Sequence, residues 1–367
     1  MVEMISFRPT PKFLFFSILI LSIGAAYMYY INYNGVDLSS AFKVSGALSL
    51  ENDDWGNLAE AEEEQSRRLA TFKAYCEKNI STGDPRKVSV QSHLLFYDNI
   101  KTMYCYIPKV ACKTMKLLFY NLEHNTTERL ISVGTADFKG RKDNYIAPNE
   151  HKGGWIHSRG HKKMKHYSEE ELSLRLATYR KIIVVRDPLE RLASAWLNKF
   201  VNMAAHGTLS WVKGLNRRLT NYRRSILPDQ SSIVKEEATF NATKPVPFRD
   251  FLFGVSQKVI VDNEHWTSFN RLCQPCQIDY DFIAHTDTVA TDVRLFLKKY
   301  NITANEEILP AQRPRHANSD NVFSDIYAQV PIEEILPLRE IFLEDFGMFG
   351  YSFDHDLAKI LEGKSKE

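Results

Sequence analysis

Two segments of this chain carry residue types and spacings that suit an anionic group. One reads Tyr104-Cys105-Tyr106-Ile107-Pro108-Lys109-Val110-Ala111-Cys112-Lys113-Thr114, and the other Ile182-Ile183-Val184-Val185-Arg186-Asp187-Pro188-Leu189-Glu190-Arg191-Leu192-Ala193-Ser194. Each passes from a short β-branched or aromatic run, through a turn bearing a cation, into a helical pattern. That order delivers a charged side chain and free backbone N–H groups to a phosphate or sulfate. Lys109 follows the first run, with Lys113 and Thr114 in the first helical turn. Arg186 follows the second run, where its guanidinium fork suits a phosphate, and Ser194 adds a hydroxyl near the same mouth. Local readings compete: Asp187 can simply cap a helix, and Glu190 and Arg191 can form that helix's own salt bridges. The Gly-x-x-x-x-Gly-Lys-Ser/Thr loop is absent, as is a clear acidic set for magnesium, which argues against a phosphotransferase of kinase type.

Between the two segments lies a basic stretch. Residues 139–166 hold eight Lys or Arg, four histidines (His151, His157, His161 and His166) and only Asp143 and Glu150 as acids. A second cluster is Lys213, Arg217, Arg218, Arg223 and Arg224. Either is a solvated face or a reader of acidic substrate; the net charge of +2 does not discriminate, because local excesses cancel. His157, His161 and His166 have nearly helical spacing, but glycines surround them and no acid is interleaved, so a metal site is not expected. The five cysteines cannot all pair within one chain. Cys273-x-x-Cys276 lacks a matching second pair for zinc and is read as structural, while Cys76 is a candidate for a bond between two chains, giving a disulfide-linked homodimer. The other pairings stay open, and His265-Trp266 reads equally as core or as acceptor-side.

The elements that must position these residues follow from pattern. Leu94–Tyr97 and Met103–Ile107 read as two strands turning at Asp98-Asn99. Met115, Leu118, Phe119 and Leu122 give a helix after Lys109. Ser168 and Glu171 form a capping box ahead of a helix to Tyr179, and a buried strand Ile182–Val185 follows. Residues 124–166 read as extended loop. Helices are expected at Phe248–Val255, Thr288–Tyr300 and Ile335–Phe342, with a strand at Tyr280–Ile283. Helices interleaved with short β runs predict an α/β domain around a mostly parallel sheet.

The amino end bears on compartment. Phe13–Ile31 is a 19-residue run without a charge, behind Arg8 and Lys12. As a helix it spans about 28 Å, near the hydrocarbon thickness of a bilayer. The basic flank places residues 1–12 in the cytosol as a tail and the remainder on the lumenal side. A cleaved signal peptide ending near Gly24 and Ala26 is the competing reading, against which the apolar run continues through Tyr30. Four Asn-linked glycan acceptors, at Asn79, Asn125, Asn241 and Asn301, all lie downstream. Residues 32–91, sparse in apolar side chains, read as a stem with one short helix from Leu58 to Tyr75. A folded body is expected over 92–353 and a tail over 354–367.

Taken together, Ile107–Cys112 and Val185–Ala195 resemble the two nucleotide-binding signatures of Golgi carbohydrate sulfotransferases, in the branch of the chondroitin/dermatan 4-O-sulfotransferases and the HNK-1 sulfotransferase. His265-Trp266, Leu272-Cys273-Gln274-Pro275-Cys276, Tyr280–Ile283 and Asp345–Tyr351 resemble that branch's carboxyl-terminal hallmarks. The resemblance spans roughly residues 92–353. It implies a P-loop-like nucleotide-binding fold behind one transmembrane helix, in a single-pass type II protein of the Golgi membrane. It also implies the cofactor 3'-phosphoadenosine 5'-phosphosulfate, with no obligatory metal. The 5' phosphosulfate would lie on Pro108, Lys109, Val110, Ala111, Cys112, Lys113 and Thr114, and the 3' phosphate on Arg186 and Ser194. Lys109 would also act in catalysis, with His157 as the base that takes the acceptor's proton. The implied acceptor is an acidic glycan or proteoglycan, by family likeness position 4 of N-acetylgalactosamine in chondroitin; no nucleic-acid partner is expected. One departure stands out: Lys113 occupies a position where the family usually has Thr, and a lysine cannot accept a hydrogen bond. That departure motivates the alternative of a catalytically inactive, glycan-binding relative.

Overall fold

The computed structural model describes residues 58–79, 92–131, 148–152, 154–202, 246–260, 263–311 and 317–364, with short helical pieces between 214 and 225. The chain divides into Met1–Gly56 and Asn57–Glu367, and only the second contains described residues. The expected cytoplasmic tail, the membrane span at 13–31 and the glycan acceptor Asn241 lie outside them. Among the described residues no helix is long and apolar enough to cross a membrane.

In chain order the helices are α1 (Leu58–Lys78), α2 (Cys112–His124), α3 (Glu169–Thr178), α4 (Pro188–Trp196), α5 (Phe248–Ser256), α6 (Phe269–Cys273), α7 (Pro275–Ile278), α8 (Val289–Lys299), α9 (Ala317–Ala328), α10 (Ile332–Ile335), α11 (Leu338–Ile341), α12 (Leu343–Phe349) and α13 (Phe353–Lys364). The strands are β1 (Leu94–Tyr97), β2 (Thr102–Cys105), β3 (Arg129–Ile131), β4 (Glu150–Lys152), β5 (Lys162–Lys163), β6 (Arg180–Val185) and β7 (Phe282–His285). A five-stranded sheet has the order β5-β1-β2-β6-β7, and β3 pairs with β4 separately. β2, β6 and β7 are mutually parallel, while β1 runs antiparallel to both β2 and β5. One strand of the five is thus reversed, which gives the mixed but mostly parallel sheet that the interleaved pattern predicts.

β2 and β6 are apolar on both faces because both faces are covered: Met103, Tyr104, Cys105 and Ile182–Val185 have no solvent exposure. In their register Cys105 opposes Ile183. The chain therefore leaves both strands at one sheet edge, and the loops carrying Lys109 and Arg186 emerge side by side. This carboxyl-end crevice is where open α/β sheets bind ligands. A second apolar cluster joins α4 (Leu189, Leu192, Ala193, Ala195) to α5 and to the helices from α9 onward.

Four expectations need correction. Cys76 is bonded to Cys276 and Cys105 to Cys273, with Cα–Cα distances of 5.2 and 6.0 Å, so Cys76 is not available to link two chains. Residues 58–78 are not a spacer. α1 seals the sheet, burying Phe72, Gln65 and Arg68; the Arg68 guanidinium donates to the Asp292 carboxylate (2.9 Å), the Ile283 carbonyl (3.3 Å) and the Thr288 hydroxyl (3.1 Å). The helix expected from Leu58 to Tyr75 is present and runs on to Lys78, but its buried face is largely polar, which is why apolar periodicity does not show that it packs on the sheet. Residues 354–364 are helical rather than a tail, and α13 buries Phe353, Asp356 and Ile360. The helix expected at 335–342 is instead broken into α10, α11 and α12, with prolines at 331 and 337 opening the first two. Ser168 and Glu171 do form the capping box of α3.

Candidate active site

The loop after β2 is bent by two non-glycine residues in the left-handed region, Lys109 at φ 74° and Ala111 at φ 60°. Each such residue costs roughly 1–3 kcal/mol and persists where surrounding structure over-determines it. Val110 between them is buried at 0% exposure, pinning the loop into the core and leaving only its backbone for a ligand. α2 then starts with Ala111 as its cap residue, which offers no side-chain hydrogen bond. The first helical bond runs from the Met115 N–H to the Ala111 carbonyl (3.0 Å). The N–H groups ahead of it are left for a ligand, with the positive end of the helix dipole behind them.

A cavity of about 960 Å³ opens at this mouth. Pro108, Lys109, Ala111, Cys112, Lys113 and Thr114 form one wall, and Ser194, Asn198 and Lys199 of α4 and its extension another. His157, Arg159, Lys163 and Lys165 form a third, and Glu264 and His265 close it. Of the residues singled out from sequence, these walls unite Lys109, Cys112, Lys113, Thr114, Ser194 and His157. Arg186 lies outside the lining, its Nε donating to Glu190 Oε2 (3.1 Å), but its charge still reaches Lys109. Withdrawal from water, with Lys199, Arg186 and Lys113 nearby, brings the Lys109 ammonium down to about 8. Burial brings Lys116, one turn into α2, to about 8 as well. This is a crowd of cations poised for an anion.

The loop histidines sort themselves by their partners. His151 stacks on Trp155 (3.7 Å between centroids) and pairs with Glu128. His161 donates through Nε2 to the Ile156 carbonyl (2.8 Å) and accepts at Nδ1 from the Tyr97 hydroxyl (3.3 Å). His166 Nδ1 accepts from the Lys163 N–H (3.0 Å). His157, on a single 3₁₀ turn at Trp155–Ser158, keeps both ring nitrogens unbonded among the described residues. Partial desolvation, then the charges of Lys116 and Lys113, push it down to about 4, so the ring is neutral and holds a lone pair at neutral pH.

A sulfotransferase family model matches residues 92–352. The chain belongs to the sulfotransferase family. It is similar to carbohydrate sulfotransferase 12 of Xenopus laevis, at 29% identity over 349 residues covering 86% of this chain and 77% of the relative. Carbohydrate sulfotransferase 11 of Rattus norvegicus is 28% identical over 284 residues, covering 76% and 73%. Carbohydrate sulfotransferase 8 of Mus musculus is 26% identical over 305 residues, covering 81% and 65%. No solved structure matches the chain.

The cavity of this sulfotransferase fits the sulfuryl donor that its family implies. An uncapped helix end, two left-handed residues and the lysines at 109, 113, 116 and 199 suit a doubly phosphorylated group better than a neutral one. Among the described residues no group of three or more His, Cys, Asp or Glu is arranged to hold a metal ion. Several residues of the site were not reached from sequence. Lys116 sits three residues past Lys113 on the same helix face, a spacing that was legible. Lys199 follows α4 on a π-helical turn and gave no signal. Trp266 is core at 1% exposure, whereas His265 lines the cavity, its Nδ1 hydrogen bonded to Asn263 Oδ1 (2.8 Å). Cys112, on the donor wall, is the fifth cysteine and stays a free thiol.

Proposed function

We propose that this sulfotransferase moves a sulfuryl group from 3'-phosphoadenosine 5'-phosphosulfate to a hydroxyl of an acidic glycan, at position 4 of N-acetylgalactosamine in chondroitin-type chains. The observation that carries the reading is the uncapped, lysine-lined mouth of α2 opening into the same cavity as Arg159, Lys163 and Lys165. One wall suits the phosphates of the donor, and the other suits carboxylates or sulfates flanking an acceptor hydroxyl. The three similar proteins are carbohydrate sulfotransferases by name, which supports a sugar as acceptor. The inactive reading has no observation in its favour: Lys113 lines the cavity and adds to its positive charge.

The bound donor supplies an activated sulfuryl group whose departure leaves a phosphate. Lys109, Lys113 and the first N–H groups of α2 hold the 5' end, and Lys109 neutralises charge as it grows on the leaving oxygen. Arg186 and Ser194 hold the 3' phosphate from the adjoining strand end. His157 removes the hydroxyl proton at a ring nitrogen. Its basicity is depressed by burial and then by neighbouring cations, so an anion bound among them raises its pKa toward the working range. We place the reaction in the Golgi lumen, behind an amino-terminal anchor. Asn79, Asn125 and Asn301 are all exposed, as glycan acceptors there must be.

The test is incubation of the full chain with radiolabelled donor and desulfated chondroitin, dermatan and glucuronyl-terminated acceptors. Transfer to galactosamine O4 is expected, and no transfer to any acceptor defeats the reading. His157→Ala should lower kcat by about 10²-fold or more while binding of adenosine 3',5'-bisphosphate is kept. Near-normal turnover removes His157 from the role.

A further inference from the structure

Arg191 is the fullest departure from the local reading of α4. A helix-surface ion pair was one expectation, but the guanidinium is buried at 1% exposure and its neighbour Glu190 bonds Arg186 instead. Its hydrogen bonds go to three backbone carbonyls from two loops. Nε donates to Pro108 (3.1 Å), Nη1 to Thr267 (2.6 Å) and Nη2 to Glu264 (2.8 Å). The guanidinium carbon also lies 4.9 Å from the centre of the Phe269 ring. Pro108 immediately precedes Lys109 on the donor wall, and Glu264 and Thr267 bracket His265 on the closing wall.

We propose that Arg191 is a positioning residue that sets the spacing between Lys109 and His265 across the sulfuryl-transfer cavity, an inference that rests on the function proposed above. The physical argument has three parts. All the hydrogen bonds of this fully buried cation go to neutral carbonyls. The Asp345 carboxylate acts in its favour only through its charge, and desolvation still outweighs that attraction, so the arrangement is a poor way to gain stability. A planar fork with five donors in fixed directions suits three carbonyls offered by two loops, a geometry that the shorter reach and tetrahedral donors of an ammonium do not reproduce. The 263–267 loop has only its own local turn bonds, from the Trp266 and Thr267 N–H groups to the Asn263 carbonyl (3.2 and 3.0 Å), and these do not fix where either loop sits against α4; that placement depends on tertiary contacts like those of Arg191. The closing wall has a second buried tie: the Asp345 carboxylate accepts from the Phe269 N–H (2.8 Å) and the Asn270 N–H (3.3 Å). Because α4 also carries Ser194, one side chain ties the donor wall, the Ser194 helix and the His265 wall into one frame. Displacement of reacting groups by about 1 Å is enough to cost roughly 10²-fold in rate.

The experiment compares wild type with Arg191→Lys as full chains. Thermal melting reports folding, calorimetry with adenosine 3',5'-bisphosphate reports the donor wall, and transfer to desulfated chondroitin gives kcat and donor KM. The expected result is a fall in kcat of roughly 10²-fold with nucleotide Kd and donor KM within about 3-fold. In a Lys109→Ala background the same substitution should add less than about 3-fold, since the spacing it guards no longer matters. A folded Arg191→Lys with kcat within about 3-fold of wild type overturns the proposal, as does an equal loss in both backgrounds. Should Arg191→Lys fail to fold, Arg191→Met, apolar and of similar length, carries the same comparison. Absence of transfer by the wild-type protein would instead overturn the proposed function, and this inference with it.

Discussion

The helices α2 and α4 start at one sheet edge, each a few residues beyond a buried parallel strand, yet their amino ends are finished in opposite ways. At α4, Asp187 turns its Oδ1 back to accept from the N–H groups of Leu189 (2.9 Å) and Glu190 (3.0 Å), and Pro188 removes a third donor. At α2, Ala111 stands in the cap position with nothing to offer. An anion at the first mouth meets backbone donors and the helix dipole directly. At the second those donors are already satisfied, and only side chains such as Arg186 and Ser194 remain. The same strand–turn–helix unit therefore makes two kinds of anion site, and the cap residue decides which. Leaving out a cap forgoes about 1 kcal/mol of helix stability, which a ligand then restores on binding.

That contrast can be broken at either end. The largest effect is expected from Lys109→Ala, which removes the one side chain that serves both binding and the leaving group. Activity should fall by about 10²–10³-fold, measured as kcat/KM for the donor, and a smaller loss than Arg186→Ala would reverse the assigned order of the two mouths. Next comes Ala111→Asp, which gives α2 the kind of cap that α4 has. A carboxylate there competes with the ligand for the same N–H groups, so affinity for adenosine 3',5'-bisphosphate should drop by roughly tenfold; unchanged affinity would mean that the open helix end binds no phosphate. The smallest effect is expected at Asp187.

Asp187 is a buried carboxyl beside a second, Asp356 of α13, and the two side chains interact directly. Burial, then the Asp356 charge, raises the Asp187 pKa well above the usual carboxylate value. Asp356 is raised too, chiefly by burial. A folded-state pKa above the unfolded one stabilises fully below the unfolded value, and this contribution is lost as pH rises through the folded pKa. Asp187→Asn keeps the cap while removing one titrating partner. Its melting temperature should equal or slightly exceed wild type at neutral pH, a gain within about 1 kcal/mol, and its pH dependence should flatten. A large loss of stability would show that the charge, not the cap, is what α4 needs.

How much was readable in advance depended on distance along the chain. The turn at Asp98-Asn99, the Ser168 capping box and the strands before Lys109 and Arg186 were legible because each is decided within a few residues. α1 was legible as a helix from Leu58, but its packing on the sheet was not, because its buried face uses Gln65 and Arg68, and beside the local Glu64 it is Asp292, 224 positions away, that helps make a buried arginine acceptable. His265 was noticed but left unassigned, since adjacent residues of a loop diverged: Trp266 went into the core and His265 into the cavity. For Arg191 the sequence offers a helix-surface pair as one alternative and no sign of its burial, because its carbonyl partners lie 73–83 positions away.

By itself the sequence determined two strand–turn–helix units with cations at their turns, a basic segment between them and a family likeness over 92–353. Those are local properties, governed by periodicity, turn chemistry and residue type. Tertiary structure alone decided that the two turns share an edge, because strand order depends on which distant segments pair. It also decided which of four loop histidines keeps both ring nitrogens unbonded among the described residues, that Cys76 closes within the chain, and that one buried guanidinium joins both walls of the cavity. Each of those depends on atoms far apart in sequence, where burial and hydrogen-bond satisfaction are settled only once the whole core has formed.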